Sequence, residues 1–266
     1  MHYLNGQFQF VHEILGPVQG ISGTSDSNIW FANGGLAFWN GTQCVDYPFT
    51  GLDPTLPNIY PKAIYSVWCS QDGQVWGAGD SGIIIHRSTN GTWDVQQAPT
   101  SMQLSSIIGF SPNEIYAAGS NQNCSGCGGV LCEYNGAMWS VILQSQNPDS
   151  AMSVYNMKVG GSSGDSLYVV GNGVFHRTAT GWQNRTPKQE SYYAENVCAQ
   201  TWNNVWVCGD YGMLLHFDGD HWTEVGGAKW PYSADEILWD VYTAGNQVFA
   251  VGEDLTDYNI VFINGQ

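Results

Sequence analysis

The feature that most constrains the fold of this chain is a segment that recurs six times along its 266 residues. Each copy has an apolar residue followed by an aromatic one, and then small residues and glycine. The aromatic positions are Trp30, Trp76, Tyr116, Tyr168, Trp206 and Phe249, and the spacings between them are 46, 40, 52, 38 and 43 residues. Self-similarity at periods of this length is typical of propellers and solenoids, in which each repeat is one supersecondary unit.

Each copy also contains an apolar run that ends at a glycine turn. These runs are FWNG (38–41), HRSTNG (86–91), EYNG (133–136), HRTATG (176–181), HFDG (216–219) and FING (262–265). Asn-Gly or Asp-Gly between apolar runs is a strong hairpin signal, since a type I′ turn needs positive φ at both central residues. No helical periodicity interrupts the pattern. Every repeat therefore predicts four short antiparallel strands.

The two ends of the chain together make up one further repeat. The last copy reaches a fourth-strand position at residues 264–266, and segment 4–11 near the start has the apolar alternation of such a strand. A ring closed in this way leaves no exposed strand edges. The sequence thus predicts an all-β fold in one domain over residues 1–266. We expect a six-bladed β-propeller with four-stranded antiparallel blades, in which the N-terminal strand closes the last blade.

The balance of charged residues excludes several classes of protein. The chain has 7 Lys+Arg against 23 Asp+Glu, which gives a formal net charge of −16. A nucleic-acid-binding protein needs clustered cations, so we expect no nucleic-acid partner. No apolar run approaches the roughly 18 residues of a membrane-spanning segment, so we expect no membrane insertion. The first ten residues lack the basic-then-apolar layout of a signal peptide.

The repeat pattern of Ile/Val-Trp, spaced glycines, a histidine and a later tryptophan resembles the sialidase-type, or Asp-box-like, β-propeller repeats. The nearest match to the Asp-box is segment 88–93, which has Asn90 in place of the aspartate and is one residue short. The resemblance covers essentially the whole chain and implies a blade rather than a chemistry. Such repeats also occur in non-catalytic bacterial surface proteins and in photosystem assembly-factor propellers.

The same resemblance argues against catalysis. Sialidase activity requires three arginines that clamp a carboxylate, together with a Tyr/Glu nucleophile pair and an acidic acid/base. This chain has only Arg87, Arg177 and Arg185, and the first two follow repeat histidines in the predicted third strand, away from the inner strand. We therefore expect no catalytic residues and no enzymatic activity.

The connections on one side of the predicted blades are longer than the fold requires. They join the second to the third strand and each blade to the next, and long loops on a rigid scaffold commonly carry function. Their aromatic residues lie beside carboxylates and amides, which suits sugar rings and equally suits protein interfaces. The alternative is that these aromatics pack the loops onto the rim. The candidate ligand-binding residues are Tyr47, Tyr60, Tyr192, Tyr193, Tyr211, Trp230, Tyr232 and Tyr258.

The cysteines predict two disulfides. Cys198 and Cys208 lie on successive strands, and a turn centred on Asn203 would place them opposite each other at disulfide distance. Cys124 and Cys132 lie in the third repeat, where a local disulfide is favoured over zinc because no second pair of ligands is evident. Disulfides would indicate an oxidising exterior. No partner is assigned to Cys44, Cys69 and Cys127.

Three histidines share one repeat position: His86, His176 and His216. Equivalent positions on separate blades do not converge, so we expect packing or hydrogen-bonding roles and no metal site. No cofactor is predicted. Calcium, which takes oxygen ligands, stays open as an alternative at the acidic loop 253–257 or at the inner-strand groups Glu195, Asn196 and Asp240.

Three functional hypotheses follow. The first is a non-catalytic recognition or scaffold propeller at an extracellular, cell-surface or virion-surface location, whose loop-rich face binds glycan or protein. The second is a structural decoration or assembly subunit with homo-oligomeric or larger lateral contacts. The third is a glycoside-cleaving enzyme, which would need two carboxylates about 5–10 Å apart. The acidity, the scarcity of lysine and the aromatic loops favour the first.

Overall fold

The computed structural model describes residues 2–4, 7–9, 16–121, 128–145, 157–187, 193–225, 236–253 and 258–264, the first two and the last of these ranges by their backbone pairing. Within them the chain is built from β-strands and one 3₁₀ turn, Asp80–Gly82. None of the described segments is a helix with the length and apolar character that a membrane crossing requires. The all-β prediction is confirmed.

Five sheets have four antiparallel strands each, paired in chain order. Sheet 1 comprises β3 (Gly20–Ser25), β4 (Asn28–Ala32), β5 (Leu36–Trp39) and β6 (Cys44–Tyr47). Sheet 2 comprises β7 (Ile64–Cys69), β8 (Val75–Gly79), β9 (Ile83–Arg87) and β10 (Trp93–Gln97). Sheet 3 comprises β11 (Gln103–Ser111), β12 (Glu114–Ser120), β13 (Gly129–Tyr134) and β14 (Trp139–Gln144).

Sheet 4 comprises β15 (Lys158–Ser163), β16 (Ser166–Val170), β17 (Val174–Thr178) and β18 (Gly181–Asn184). Sheet 5 comprises β19 (Ala194–Thr201), β20 (Asn204–Gly209), β21 (Leu214–Phe217) and β22 (Trp222–Glu224). Sheet 6 has three strands in the described residues: β23 (Ile237–Ala244), β24 (Gln247–Glu253) and β25 (Tyr258–Asn264). Two short strands, β1 (His2–Leu4) and β2 (Gln7–Gln9), form a separate hairpin.

The six sheets pack in chain order. The first strand of each sheet contacts the first strand of the next, in the series β3, β7, β11, β15, β19 and β23. A separate hydrophobic core fills each of the five interfaces between consecutive sheets. The repeat aromatics of the second strands lie in these cores: Trp30, Trp76, Tyr116, Tyr168 and Trp206 are all buried. Each sequence repeat thus corresponds to one sheet, and an inner sheet of the series contributes side chains to the core on either side of it.

A β-bulge near the start of the first strand explains the glycine in the repeat. Four of the first strands have this bulge, at Ile64/Ser66, Leu104/Ser106, Ala194/Asn196 and Leu238/Asp240. It brings a backbone carbonyl against the end of the second strand, where Gly79, Gly119, Gly209 and Gly252 lie. A Cβ atom at any of the four would overlap the carbonyl oxygen of residue 63, 103, 193 or 237, respectively.

The predicted hairpin turns are present, but the predicted turn type is wrong. Gly41 has a φ of +95° and Gly91 a φ of +86°, whereas Asn40 and Asn90 are not in the positive-φ region. Asn40 Oδ1 instead accepts hydrogen bonds from the backbone N–H groups of Thr42 and Gln43, both at 2.9 Å. This is an Asx turn, in which the asparagine side chain takes the place of a backbone acceptor.

The two chain ends do not pair as predicted. Strand β1 pairs with β2, with Leu4 opposite Gln7, so segment 4–11 is not one continuous strand. Residues 4 and 7 flank Asn5-Gly6, which is the same hairpin signal that ends the other repeats. Among the described strands, β25 pairs only with β24, and β23 has no contact with β3 comparable to those between consecutive sheets. The prediction that the N-terminal strand closes the last sheet is therefore wrong.

Candidate functional site

Backbone contacts on the loop-rich side connect neighbouring sheets at the junctions of sheets 1 and 2, 4 and 5, and 5 and 6. The link from second to third strand reaches the start of the next sheet's first strand, as Gly34 does with Ile64 and Asp210 with Ile237. Between sheets 4 and 5, the Ala194 N–H donates to the Gly171 carbonyl oxygen at 2.9 Å. Side chains at these junctions therefore project from a framework that is hydrogen-bonded across two sheets.

At the junction of sheets 5 and 6, this framework brings two of the predicted tyrosines together. The Asp210 N–H donates to the Tyr193 carbonyl oxygen at 3.1 Å, and the Gly212 N–H donates to the Glu236 carbonyl oxygen at 3.0 Å. Tyr211, between Asp210 and Gly212, has a φ of +60°. Tyr193 is 45% exposed and Tyr211 is 43% exposed. Two half-exposed rings thus lie beside the acidic residues Asp210 and Glu236.

The first strands of sheets 5 and 6 add further acidic groups next to these rings. Glu195 and Asn196 form the bulge of β19, and Trp239 and Asp240 form the bulge of β23. Asn196 Nδ2 donates to Asp240 Oδ1 at 2.7 Å, which joins the two sheets. Trp239 is 43% exposed. We call the group Tyr193, Glu195, Asp210, Tyr211, Glu236, Trp239 and Asp240 the sheet 5–6 surface.

One lysine lies beneath this surface. Lys158, at the start of β15, donates from Nζ to the Ser105 carbonyl oxygen at 2.9 Å. Burial lowers the pKa of Lys158, and the negative charges of Asp240 and Glu195 oppose that shift. Burial raises the pKa of Asp240 to about 6, against the effect of the Lys158 ammonium and a backbone hydrogen bond. Burial also raises the pKa of Asp210. The surface thus holds ionisable groups at positions that are poorly hydrated.

The other predicted ligand-binding residues lie elsewhere. The Tyr47 ring packs in the core between sheets 1 and 2, with centroids 5.5 Å from Trp30 and 5.3 Å from Trp93. Tyr60 is 74% exposed in the link between sheets 1 and 2, before a cis Pro61. Tyr192, Trp230 and Tyr232 lie outside the described residues, as does the side chain of Tyr258. Sequence reasoning missed Trp239, because alternation along a strand does not reveal a bulge.

The disulfide predictions are wrong for Cys198, Cys208 and Cys132, which are free thiols, as are Cys44 and Cys69, for which no partner is predicted. Cys198 lies opposite Trp206, and Cys208 opposite Asn196, because the two-residue turn at 202–203 and the bulge at Ala199/Thr201 each shift the predicted register by one residue. The Cys198 sulfur instead lies 3.3 Å from Thr243 Oγ1. Cys132 is buried in the core between sheets 2 and 3, where burial raises its pKa to about 12. Cys124 lies outside the described residues.

The three repeat histidines serve the packing of their own sheets. Each ring stacks on the second-strand aromatic, with centroid distances of 3.9 Å for Trp76–His86, 4.3 Å for Tyr168–His176 and 4.4 Å for Trp206–His216. Their Nε2 atoms hydrogen-bond to Gln74, Ser166 and Asn204, respectively. Within the described residues, no group of three or more His, Cys, Asp or Glu side chains is arranged to hold a metal ion. The calcium alternative stays a prediction for loop 253–257, which is described only at Glu253.

Comparisons with known proteins identify the fold. No protein family matches the sequence, and no curated protein is significantly similar to it. The solved structure described as "YCF48 bound to D1 peptide" is similar with a TM-score of 0.67 and 16% identity, over 94% of this chain and 77% of the other. The computationally designed Ika8 protein is similar with a TM-score of 0.58 and 10% identity, over 92% of this chain and 71% of the other. These similarities indicate that the chain has a β-propeller fold.

Proposed function

We propose that this chain is a non-catalytic propeller that binds a segment of another protein at the sheet 5–6 surface. The observation that carries the proposal is the exposure of three large aromatic side chains beside carboxylates: Tyr193, Tyr211 and Trp239 are each more than 40% exposed. Aromatic residues of this kind are enriched in protein interfaces, and neighbouring polar groups fix the orientation of what binds. The backbone bonds between the sheets hold these rings in place before any partner arrives.

A protein partner is favoured over a glycan by two considerations. YCF48, a protein of the same fold, has been solved with a bound peptide, as its description states. Tyrosine and tryptophan also provide large contact areas at a low cost in conformational entropy, because each side chain has only two main torsions. A glycan partner therefore becomes the competing outcome of the binding test.

The test is a screen of a linear peptide display library and of a glycan array with the full chain. Selected peptides are then measured by isothermal titration calorimetry against the wild type, Tyr211→Ala and Trp239→Ala. We expect each substitution to weaken binding by about tenfold or more, as loss of an aromatic anchor does. Tyr60→Ala is the matched control, because Tyr60 is an exposed tyrosine in another loop of the same side. Binding to glycans alone, or equal binding by all variants, would contradict the proposal.

We also propose that the six sheets are the six blades of one ring built from sialidase-type repeats. The packing of the first strands in chain order supports this, and Ile21 of sheet 1, 58% exposed, and Tyr242 of sheet 6, 63% exposed, are side chains that closure would cover. A closed ring would bury both faces against each other. Small-angle X-ray scattering tests this: a compact chain of 266 residues should have a radius of gyration of about 18 Å, and an open series of sheets a clearly larger one.

The location outside a cell or on a virion surface stays a proposal that rests on the acidic composition. The free thiols remove the support that disulfides would have given it. Light scattering of the purified chain, with and without reductant, distinguishes a monomeric binding protein from the alternative of a structural subunit. A monomer in both conditions is the expected result, since a net charge of −16 disfavours self-association.

A further inference from the structure

We propose that the partner segment binds through a cationic side chain, an arginine or a lysine of an extended peptide, which enters the sheet 5–6 surface between its carboxylates and aromatic rings. This inference rests on the proposed function and names the chemical class of its partner. It is carried by three observations: the charge of the surface, the position of Lys158 beneath it, and the exposure of the rings.

The charge of the surface is strongly one-sided. Four carboxyl groups, those of Glu195, Asp210, Glu236 and Asp240, lie on the connected elements of sheets 5 and 6. The whole chain carries 7 Lys+Arg against 23 Asp+Glu, so cations are scarce throughout. Such a surface attracts a cationic segment and repels an acidic one, and this complementarity both speeds association and selects among partners.

The lysine beneath the surface does not satisfy these acids. Lys158 Nζ is bound to the Ser105 carbonyl oxygen, at the inner end of the group. Its single charge acts on Asp240 and Glu195 and leaves Asp210 and Glu236 without a cation among the described residues. Asp210 and Glu236 are therefore the carboxyl groups of the surface with which a cationic ligand can pair.

The aromatic rings favour a cation over a neutral side chain. Tyr193, Tyr211 and Trp239 are half exposed and lie next to acidic residues in sequence or through backbone hydrogen bonds. A guanidinium or ammonium group over the face of such a ring is attracted by its quadrupole, more strongly where the site is poorly hydrated. Arginine is better suited than lysine, because its planar group can stack on a ring while it donates to a carboxylate.

The test uses three fluorescein-labelled peptides of equal length and identical Gly/Ser/Tyr framework, in which two central positions are Arg, Gln or Glu. Fluorescence anisotropy at low and high salt gives the dissociation constants for the full chain. We expect the Arg peptide to bind at least about tenfold more tightly than the Gln peptide, and this advantage to shrink with salt. We expect the Glu peptide not to bind measurably.

Matched variants separate the local site from the overall charge. Glu236→Gln and Glu195→Gln should each weaken binding of the Arg peptide about threefold to tenfold and leave binding of the Gln peptide unchanged. Asp165→Asn removes the same charge from an exposed turn on the side of the sheets opposite the long loops. It should change neither dissociation constant by more than about twofold. Circular dichroism melting confirms that each variant is folded.

The outcomes distinguish this inference from the proposed function. If the Arg and Gln peptides bind equally, but Tyr211→Ala abolishes both, the protein-binding function stands and the cationic partner is wrong. If Asp165→Asn weakens binding as much as Glu236→Gln does, the attraction is long-range and the assigned site is wrong. If none of the three peptides binds at low salt, both proposals fail.

Discussion

The junction between sheets 1 and 2 and the junction between sheets 5 and 6 share one backbone plan and use their side chains differently. In both, the link after the second strand bridges to the first strand of the next sheet. At the first junction, Tyr47 packs against Trp30 and Trp93 in the core. At the second, the aromatic rings of Tyr193 and Tyr211 remain half exposed.

The acidic groups of the two junctions differ in the same way. Asp80 at the first junction accepts hydrogen bonds from the Ala63 N–H at 2.9 Å and from the Tyr65 hydroxyl at 3.2 Å, both within sheet 2 and the link before it. At the second junction, the buried Lys158 acts on Asp240 and Glu195, and Asp210 and Glu236 have no cation among the described residues. The repeat thus specifies the backbone of both junctions, whereas the side chains at a few positions decide whether a junction stabilises the fold or presents a surface.

The largest expected effect comes from exchanging tryptophan for alanine at the two junctions. Trp30 is 3% exposed and contacts the rings of Phe38, Tyr47 and Trp93, so Trp30→Ala should lower the free energy of unfolding by about 3–5 kcal/mol. Trp239→Ala, which removes a half-exposed ring, should cost less than about 1 kcal/mol. Urea denaturation followed by circular dichroism measures both. Equal losses would show that the second junction is as much a part of the core as the first.

Alanine in place of the second-strand glycine should affect the two junctions alike, because this position belongs to the shared backbone plan. A Cβ atom at Gly79 would overlap the Ala63 carbonyl oxygen, and one at Gly209 would overlap the Tyr193 carbonyl oxygen. Gly79→Ala and Gly209→Ala should each cost about 3 kcal/mol, measured by the same denaturation experiment.

A control for this prediction is Gly73→Ala. Its position lies in a turn where a Cβ atom meets no neighbour, although its φ of +91° imposes some strain. It should cost only about 1 kcal/mol. A loss at Gly79→Ala no greater than this would mean that the bulge carbonyl can move away.

Much of the fold can be predicted from the sequence because its signals are local. An apolar–aromatic pair and a glycine turn are each encoded within a few residues, and they define the sheets correctly. The prediction fails where register matters, as at Cys198 and Cys208, because the two-residue turn after Thr201 and the bulge at Ala199/Thr201 together shift the pairing of the strands by two residues. It also fails at the N-terminus, where Asn5-Gly6 is itself a hairpin signal and Leu4 pairs with Gln7.

The candidate site is less predictable, because it is assembled across a junction. Tyr193 and Tyr211 are 18 residues apart in the sequence, and the Asp210–Tyr193 backbone bond brings their segments together. Trp239 could have been found by comparing the first strands, which share an apolar–x–polar–apolar pattern: IYSV (64–67), LSSI (104–107), AENV (194–197) and LWDV (238–241). The second of these four positions marks the bulge residue in each.

The stability of the folded chain should depend on pH through Asp240 at the second junction. Burial raises its pKa from the ordinary 3.8 to about 6 in the folded chain, so the folded state binds the proton more tightly than the unfolded state does. The stability contributed by this group is therefore present below about pH 4 and is lost as the pH rises through about 6. Relative to Asp240→Asn, the wild type should lose about 2 kcal/mol between pH 4 and 7.

The asparagine variant is well matched, because its side-chain oxygen can still accept the hydrogen bond from Asn196 Nδ2. Urea denaturation at a series of pH values gives the difference between the two proteins. Asp165→Asn, at an exposed turn, serves as the control and should follow the wild-type curve. Parallel curves for the wild type and Asp240→Asn would show that Asp240 is as hydrated as a surface carboxyl group.

The smallest expected effect comes from removing the Tyr65 hydroxyl, which donates a hydrogen bond to the Asp80 carboxylate at the first junction. Tyr65→Phe removes one hydrogen bond to the Asp80 carboxylate and leaves the bond from the Ala63 N–H, so we expect a loss of about 1 kcal/mol. Trp239→Phe, at the corresponding bulge position of the second junction, removes no hydrogen bond that the structure assigns and should cost less. Thermal denaturation of the two variants therefore shows whether the bulge residue stabilises its own sheet or is available to bind a partner. If Trp239→Phe proves the more costly change, the bulge of β23 contributes to the fold as that of β7 does, and the contrast between the two junctions is lost.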